Sequence, residues 1–182
     1  MSNRTPSVGT LVEAVAFAAS KHRDQRRKDV AASPYINHPI ALANVLANEG
    51  GVTNLTALCA AVLHDTVEDT DTTEQELAER FGNDITSVVM EVTDDKSLEK
   101  SVRKQRQVEH APHISKEAKL VKLADKICNL RDLLASPPVH WPLQRQQAYF
   151  DWSAQVIAGL RGVHAPLEAL FDAVYARRRD LR

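Results

Sequence analysis

The chain has 182 residues, which is enough for one domain with a single hydrophobic core. Its hydrophobic fraction of 43% and charged fraction of 26% are ordinary for a soluble globular protein. The formal net charge of -1 argues against a general nucleic-acid-binding protein, because such domains usually carry an excess of basic residues. Only six glycines and few aromatic residues favour helices over sheets.

We expect a cytoplasmic protein that does not enter a membrane. No apolar stretch stands near the N-terminus, so no signal peptide is predicted, and no apolar run reaches the length of a membrane span. The two cysteines, Cys59 and Cys128, lie in apolar helical runs. This placement predicts two small core residues rather than a disulfide.

The first predicted helix runs from residue 8 to about residue 25, where apolar residues recur with helical spacing. It ends in a run of charges over residues 21–29. This run has two interpretations. It is either a solvated helix face or a phosphate-binding cluster formed by Arg26, Arg27 and Lys28.

A histidine precedes a proline at the start of the second predicted helix, over residues 40–48. Proline favours the first helical position, and the residue before it is restricted to extended geometry. His38 is therefore predicted at or near the N-cap, either as an incidental histidine or as a ligand. Two glycines at residues 50–51 are predicted to end this helix.

The most informative stretch covers residues 55–70. Residues 55–63 are apolar throughout, which predicts a helix buried nearly all round. His64, Asp65, Glu68 and Asp69 follow directly, and residues three or four apart share a helix face. Buried acids need a partner, and a metal cation supplies one. The alternative is a solvated helix end.

Two short helices and a polar helical segment are predicted next. A capping box at residues 73–76 opens a helix that ends near residue 81, and another helix covers residues 84–92. The chain is acidic from residue 65 to residue 95, and the polar helical segment that follows, from residue 96, is basic.

The second strong helix is predicted over residues 115–134. Asp125 stands beside its apolar stripe, and Asn129 shares the same face one turn later. A carboxylate in that position needs a partner. Lys122 or Lys126 could supply an ordinary ion pair, and a metal ion is the alternative.

Two further helices are predicted, from residue 141 to about residue 160 and over residues 167–175. Arg145 and Tyr149 lie one turn apart on the first of them. We find no internal repeat and no linker. The sequence therefore predicts an all-α fold, with one domain over residues 1–182 and a core of about residues 8–176.

Four residues form the candidate metal site: His38, His64, Asp65 and Asp125. Two imidazoles and two carboxylates suit a borderline or hard divalent ion. One manganese ion fits this set, and the ligand types also suit zinc, iron or magnesium.

The order of these four residues resembles the H…HD…D pattern of the HD phosphohydrolase superfamily, whose fold is a helical bundle. Residues 34–39, 64–70 and 123–131 more closely resemble the hydrolase domain of RelA/SpoT-type alarmone enzymes. Within that group the resemblance is to the free-standing small alarmone hydrolases of the metazoan SpoT type. It extends from about residue 8 to the final helix and includes no synthetase region.

The resemblance implies a manganese-dependent enzyme that removes the 3′-pyrophosphate from guanosine 3′,5′-bis(pyrophosphate), ppGpp, or from pppGpp. The products are GDP or GTP and pyrophosphate. By the same resemblance the four candidate ligands hold one ion, and Glu68 and Asp69 orient or deprotonate the attacking water. The implied substrate contacts are Arg27, Lys28, Lys100, Asn129, Arg145 and Tyr149. Surface charge and helix packing remain the alternative interpretation for the last four.

Two other functions remain open at this stage. The same site could remove the 2′-phosphate of NADPH, or the chain could bind the alarmone without turning it over. The expected partner is in each case a small nucleotide rather than a nucleic acid or a membrane. The sequence leaves the oligomeric state open.

Overall fold

The apolar helix predicted at residues 55–63 lies at the centre of the fold. The computed structural model describes residues 5–182, and within that range it contains ten α-helices and no β-strand. The prediction of an all-α fold is confirmed. The α-helices are α1 (Val8–Lys21), α2 (Asn37–Asn44), α3 (Leu55–Leu63), α4 (Thr66–Asp69), α5 (Glu74–Phe81), α6 (Asn83–Val92), α7 (Lys100–His110), α8 (Lys116–Ala135), α9 (Leu143–Ala158) and α10 (Ala165–Tyr175). A π-helix (Val45–Glu49) continues α2, and a 3-10 helix (Ala176–Asp180) follows α10.

Helix α3 is buried because its sequence is apolar on every face. Asn54 caps its N-terminus by accepting a hydrogen bond from the Ala57 backbone at 3.0 Å. Every residue from Ala57 to Leu63 is buried. The helix packs against α1, α2, α6 and α8, and therefore holds the end of its chain in the middle of the molecule.

Helix α8 is the second central element. It is capped by Ser115, whose side chain accepts a hydrogen bond from the Ala118 backbone at 3.2 Å. It packs against α2, α3, α6, α9 and α10. Since α2 contacts both central helices, the three helices bring their side chains to one place.

Helix α3 does not continue through the acidic residues 64–70, although the spacing of these residues suggests a continuous helix. α3 ends at Leu63, and the short α4 begins at Thr66. Side chains take over the last carbonyls: Thr66 Oγ1 donates to the Leu63 oxygen at 2.7 Å, and His64 Nδ1 lies 2.9 Å from the Ala61 oxygen. Such local bonds compete with the helical ladder, which accounts for the break.

The second helix begins earlier than predicted. α2 starts at Asn37, so His38 lies inside its first turn rather than at its N-cap. Pro39 is tolerated there because the first backbone N–H groups of a helix have no partner within it. The stop at the two glycines is confirmed in position, and Gly51 adopts a φ of 67° that favours glycine.

Two other predicted boundaries are wrong by a turn. α1 ends at Lys21 instead of residue 25. His22 caps the helix, and its Nδ1 lies 2.7 Å from Gln25 Oε1. α7 begins at Lys100 instead of residue 96. In the preceding loop Asp95 accepts hydrogen bonds from the Ser97 backbone and hydroxyl, a turn that competes with helix formation.

The core contains both cysteines, Cys59 and Cys128, as free buried thiols, which confirms their predicted role. Among residues 5–182, no helix combines the length and the apolar character needed to span a bilayer.

We expect Leu63→Ala to lower the free energy of unfolding by about 2–5 kcal/mol, because the side chain is fully buried and its removal leaves a cavity. Urea denaturation measures this change. The control is Val12→Ala, at a residue that is 63% exposed, and it should change the same quantity by less than about 0.5 kcal/mol. Equal stabilities for the two variants would contradict the central position of α3.

Candidate metal centre and adjoining cleft

Four side chains converge where α2, α3 and α8 meet. One ligand atom from each of His38, His64 and Asp65 lies within 4.8 Å of the others. Asp125 joins them from α8, with its Oδ1 3.3 Å from His38 Nε2. The two histidines are buried, and the two carboxylates are largely so. The structure therefore brings together the four residues that the sequence predicts as ligands.

The imidazole of His64 is arranged as a metal ligand usually is. Its Nδ1 lies 2.9 Å from the Ala61 backbone oxygen, so that nitrogen carries a proton and Nε2 is the ring nitrogen left to face a metal ion. Nε2 is buried, and it has no hydrogen-bond partner among the described residues. It lies 2.9 Å from Asp65 Oδ2 without the geometry of a hydrogen bond. His38 Nδ1 is likewise buried and unpartnered within residues 5–182. The orphaned Nε2 of His64 beside Asp65, together with Nε2 of His38 beside Asp125, fits a divalent cation.

The local electrostatic field attracts positive charge. Burial disfavours the charged form of His64, but Asp65 and Asp125 outweigh burial and raise the pKa of His64 to about 9. Burial also favours protonation of Asp65 and Asp125, yet neighbouring cationic groups hold the pKa of each below its usual range. A site that draws a proton to an imidazole in this way draws a metal cation for the same reason.

Asp125 forms an ordinary ion pair as well as lying beside the other candidate ligands. Lys126 Nζ lies 2.9 Å from Asp125 Oδ2, and Asn129 Nδ2 donates to Oδ1 at 2.6 Å. Lys122, the other candidate from the sequence, instead donates to the Val92 backbone oxygen at 3.0 Å. Asp125 therefore forms an ion pair with Lys126 and also lies beside His38, a candidate metal ligand.

The two acids after the cluster differ in their surroundings. Asp69 Oδ1 accepts a hydrogen bond from Lys96, and Asp69 Oδ2 lies 3.3 Å from the Tyr35 hydroxyl. Glu68 Oε2 accepts from the Asp94 backbone at 3.1 Å. Its burial raises the pKa of Glu68 to about 6. Both acids also face a cation, since Arg103 Nη1 lies 3.8 Å from Glu68 Oε1, but Lys96 approaches Asp69 much more closely.

A cleft of about 810 Å³ adjoins the cluster and is lined by His38 and Asp69. Four predicted substrate residues also line it: Arg27, Lys28, Asn129 and Tyr149. The other two, Lys100 and Arg145, are not among its lining residues. They are still linked to its basic side, because burial and the charges of Arg145 and Lys28 lower the pKa of Lys100. The Arg145 guanidinium lies 4.2 Å from the ring centroid of Trp141, which lines the cleft.

Arg27 is held in place across the cleft. Its Nη2 lies 2.5 Å from Asp132 Oδ2, and its guanidinium carbon lies 5.7 Å from the ring centroid of Tyr35. The Arg27 side chain is 19% exposed and contributes to the lining of the cleft.

Sequence reasoning missed two residues that shape the site. The Tyr35 hydroxyl donates to Asp65 Oδ2 at 2.5 Å, and Lys96 bonds Asp69. Tyr35 lies in residues 34–39, a segment that carries the family resemblance, so a signal was present for it, whereas Lys96 appears in the sequence only as the start of a basic segment. The contact of each with an acid from another segment appears only in the fold.

Known proteins match the chain over nearly its whole length. A family model described as an HD domain matches residues 14–158. The guanosine-3′,5′-bis(diphosphate) 3′-pyrophosphohydrolase MESH1 of Danio rerio is 54% identical over 172 residues, covering 94% of this chain and 96% of that protein. The Homo sapiens protein of the same name is 54% identical over 168 residues, covering 92% and 94%. A solved structure of a metazoan ortholog of SpoT that hydrolyzes ppGpp covers 98% of this chain and 99% of its own, at 46% identity and a TM-score of 0.91. The chain therefore belongs to the HD domain family and, within it, to the MESH1 group.

Proposed function

We propose that this protein is a 3′-pyrophosphohydrolase of ppGpp and pppGpp that works with one bound divalent ion. The ion that we propose is manganese. One observation carries the proposal: four side chains of metal-ligand type converge beside a cleft whose lining includes Arg27 and Lys28. The relatives in the MESH1 group bear the name of that activity and align over nearly the full chain. A cytoplasmic location belongs to the same proposal and is supported by the two free cysteines.

His38, His64, Asp65 and Asp125 would hold the ion. When bound, the ion lowers the pKa of a water molecule and polarises phosphoryl oxygens. Their mixed nitrogen and oxygen donors support manganese, although the same set suits other divalent ions.

Glu68 and Asp69 divide the handling of water. In the reaction a water oxygen bonds to the 3′ phosphorus, the bond from that phosphorus to O3′ breaks, and O3′ takes up a proton as pyrophosphate leaves. Glu68 is the proton acceptor of the pair, because a pKa of about 6 suits exchange near neutral pH. Asp69 is held by Lys96 and by Tyr35, so it serves to orient the water.

The cleft residues bind the nucleotide. The guanidinium of Arg27 and the ammonium of Lys28 meet phosphate oxygens, for which their donors are suited. Asn129 and Tyr149 line the same cleft and contact ribose or base. Lys100 and Arg145 add positive charge beside it.

With manganese, the purified protein is expected to release pyrophosphate from ppGpp, and Asp65→Ala is expected to abolish the release because it removes a ligand. Product chromatography measures both. Asp84→Ala, at an exposed position on α6, is the charge-matched control and should keep full activity. Unchanged turnover in Asp65→Ala would contradict the metal centre.

The same assay with NADPH separates the two candidate substrates, because discrimination lies in the ratio of kcat/KM values. We expect the larger value for ppGpp. A larger value for NADPH would replace the proposed substrate while keeping the site. Tight binding of ppGpp without product would indicate a silent binding module.

The pH dependence of kcat/KM is expected to show an acidic limb with a midpoint at or below about 6. Glu68 acts as a base only when ionised, so activity is lost as pH falls through its pKa, and a bound cation lowers that pKa further. Glu68→Gln should lower kcat by about 10²–10⁴-fold and remove the limb. Glu79→Gln, at an exposed residue, is the control. An unchanged limb in Glu68→Gln would assign the titration to another group.

A further inference from the structure

Lys126 is a buried ammonium group that the proposed reaction does not use. The residue is 2% exposed, and its Nζ lies 2.9 Å from Asp125 Oδ2. That distance is an ion-pair contact, and a buried ammonium needs such an anionic partner. Lys126 is therefore an ammonium group inside the protein, paired with a residue of the candidate metal centre.

The ammonium is fixed on the side of Asp125 away from the histidine. Oδ2 faces Lys126, whereas Oδ1 faces His38 at 3.3 Å. The ring of Trp152 covers the ammonium, with its centroid 4.4 Å from Lys126 Nζ. Trp152 is itself anchored, because its Nε1 donates to the Lys104 backbone oxygen at 3.0 Å. Lys126 is thus held against the carboxylate and cannot turn out into water.

The ion pair has a consequence for metal binding. Without an ion, Lys126 Nζ lies 2.9 Å from the carboxylate of Asp125 and is attracted to it. A divalent cation bound to that same carboxylate brings two positive charges close to the ammonium, so it offsets this attraction. The attraction that stabilises the ion-free state is largely absent from the ion-bound state.

We propose that Lys126 is a resident counter-cation, which stabilises the ion-free protein and thereby weakens the affinity of the centre for its divalent ion. This inference rests on the metal centre of the proposed function but not on its substrate. A residue that merely orients a metal ligand behaves in the opposite way, because removing such a partner lowers metal affinity by about 10–100-fold. The two roles therefore predict changes of opposite sign.

The test compares manganese binding by the ion-free full-length protein and by Lys126→Met, using isothermal titration calorimetry. We expect the variant to bind manganese at least about tenfold more tightly, equivalent to about 1.4 kcal/mol. Its Tm without ions should fall, and the rise in Tm on adding manganese should exceed that of the unmodified protein.

Lys122→Met is the matched control. Lys122 is a second buried lysine, one turn earlier on α8, but its ammonium bonds the Val92 backbone oxygen and forms no ion pair with a carboxylate of residues 5–182. Removing the Lys122 ammonium should lower the Tm of the ion-free protein. It should change manganese affinity by less than about threefold, which is roughly half of the 1.4 kcal/mol that a tenfold change represents.

Lys126→Gln is the second test variant, since it removes the charge but keeps an N–H donor. It should also tighten manganese binding.

Manganese affinity that is unchanged or weaker in both Lys126 variants would overturn the inference. An unmodified protein that binds no manganese would overturn both the metal centre and this inference. Normal manganese binding without hydrolysis of ppGpp would overturn only the proposed substrate, so the two failures are distinguishable.

Discussion

The compensation of two buried carboxylates, Asp65 and Asp125, is the constraint on which the site depends. A buried anion is costly unless a cation or strong hydrogen bonds accompany it. Each therefore has dedicated partners: Tyr35 for Asp65, and Lys126 with Asn129 for Asp125. Tyr35 comes from the segment before α2, whereas Lys126 and Asn129 lie on α8 beside Asp125 itself. The partner of Asp65 therefore depends on how distant segments pack, and the partners of Asp125 are already local to its helix.

The two central helices make this meeting possible. α3 is apolar on every face and packs against four other helices, so its C-terminal end is rigidly placed. Between α3 and α4 the helix is interrupted at His64 and Asp65, where side-chain bonds from His64 and Thr66 satisfy the last carbonyls of α3. The same bond that ends the helix at His64 also leaves Nε2 of that ring free to bind a metal. Local structure and ligand chemistry are therefore set by one interaction.

Neighbouring acids acquire different properties from different partners. Glu68 accepts a backbone hydrogen bond from Asp94 in the loop after α6, and burial raises its pKa. Asp69 meets Lys96 from that loop and the hydroxyl of Tyr35. One loop, at residues 93–99, therefore distinguishes two carboxylates that a sequence pattern treats as a pair. In the proposed mechanism the two groups have different tasks, since Glu68 accepts a proton and Asp69, held by Lys96 and Tyr35, orients the water.

The sequence by itself determined the all-α fold, the buried helix at residues 55–63 and the identities of the candidate ligands. Apolar periodicity reports which faces are buried, and the resemblance to HD enzymes supplied the ligand residue types at their positions. Only the tertiary structure decided that Lys126 rather than Lys122 pairs with Asp125, and that Tyr35 and Lys96 bond the acids. Two lysines on one helix look equivalent in sequence, since each lies within one turn of the aspartate. The packing of Trp152 over one ammonium, and of the Val92 carbonyl against the other, separates them, and such contacts between distant segments depend on how the helices pack.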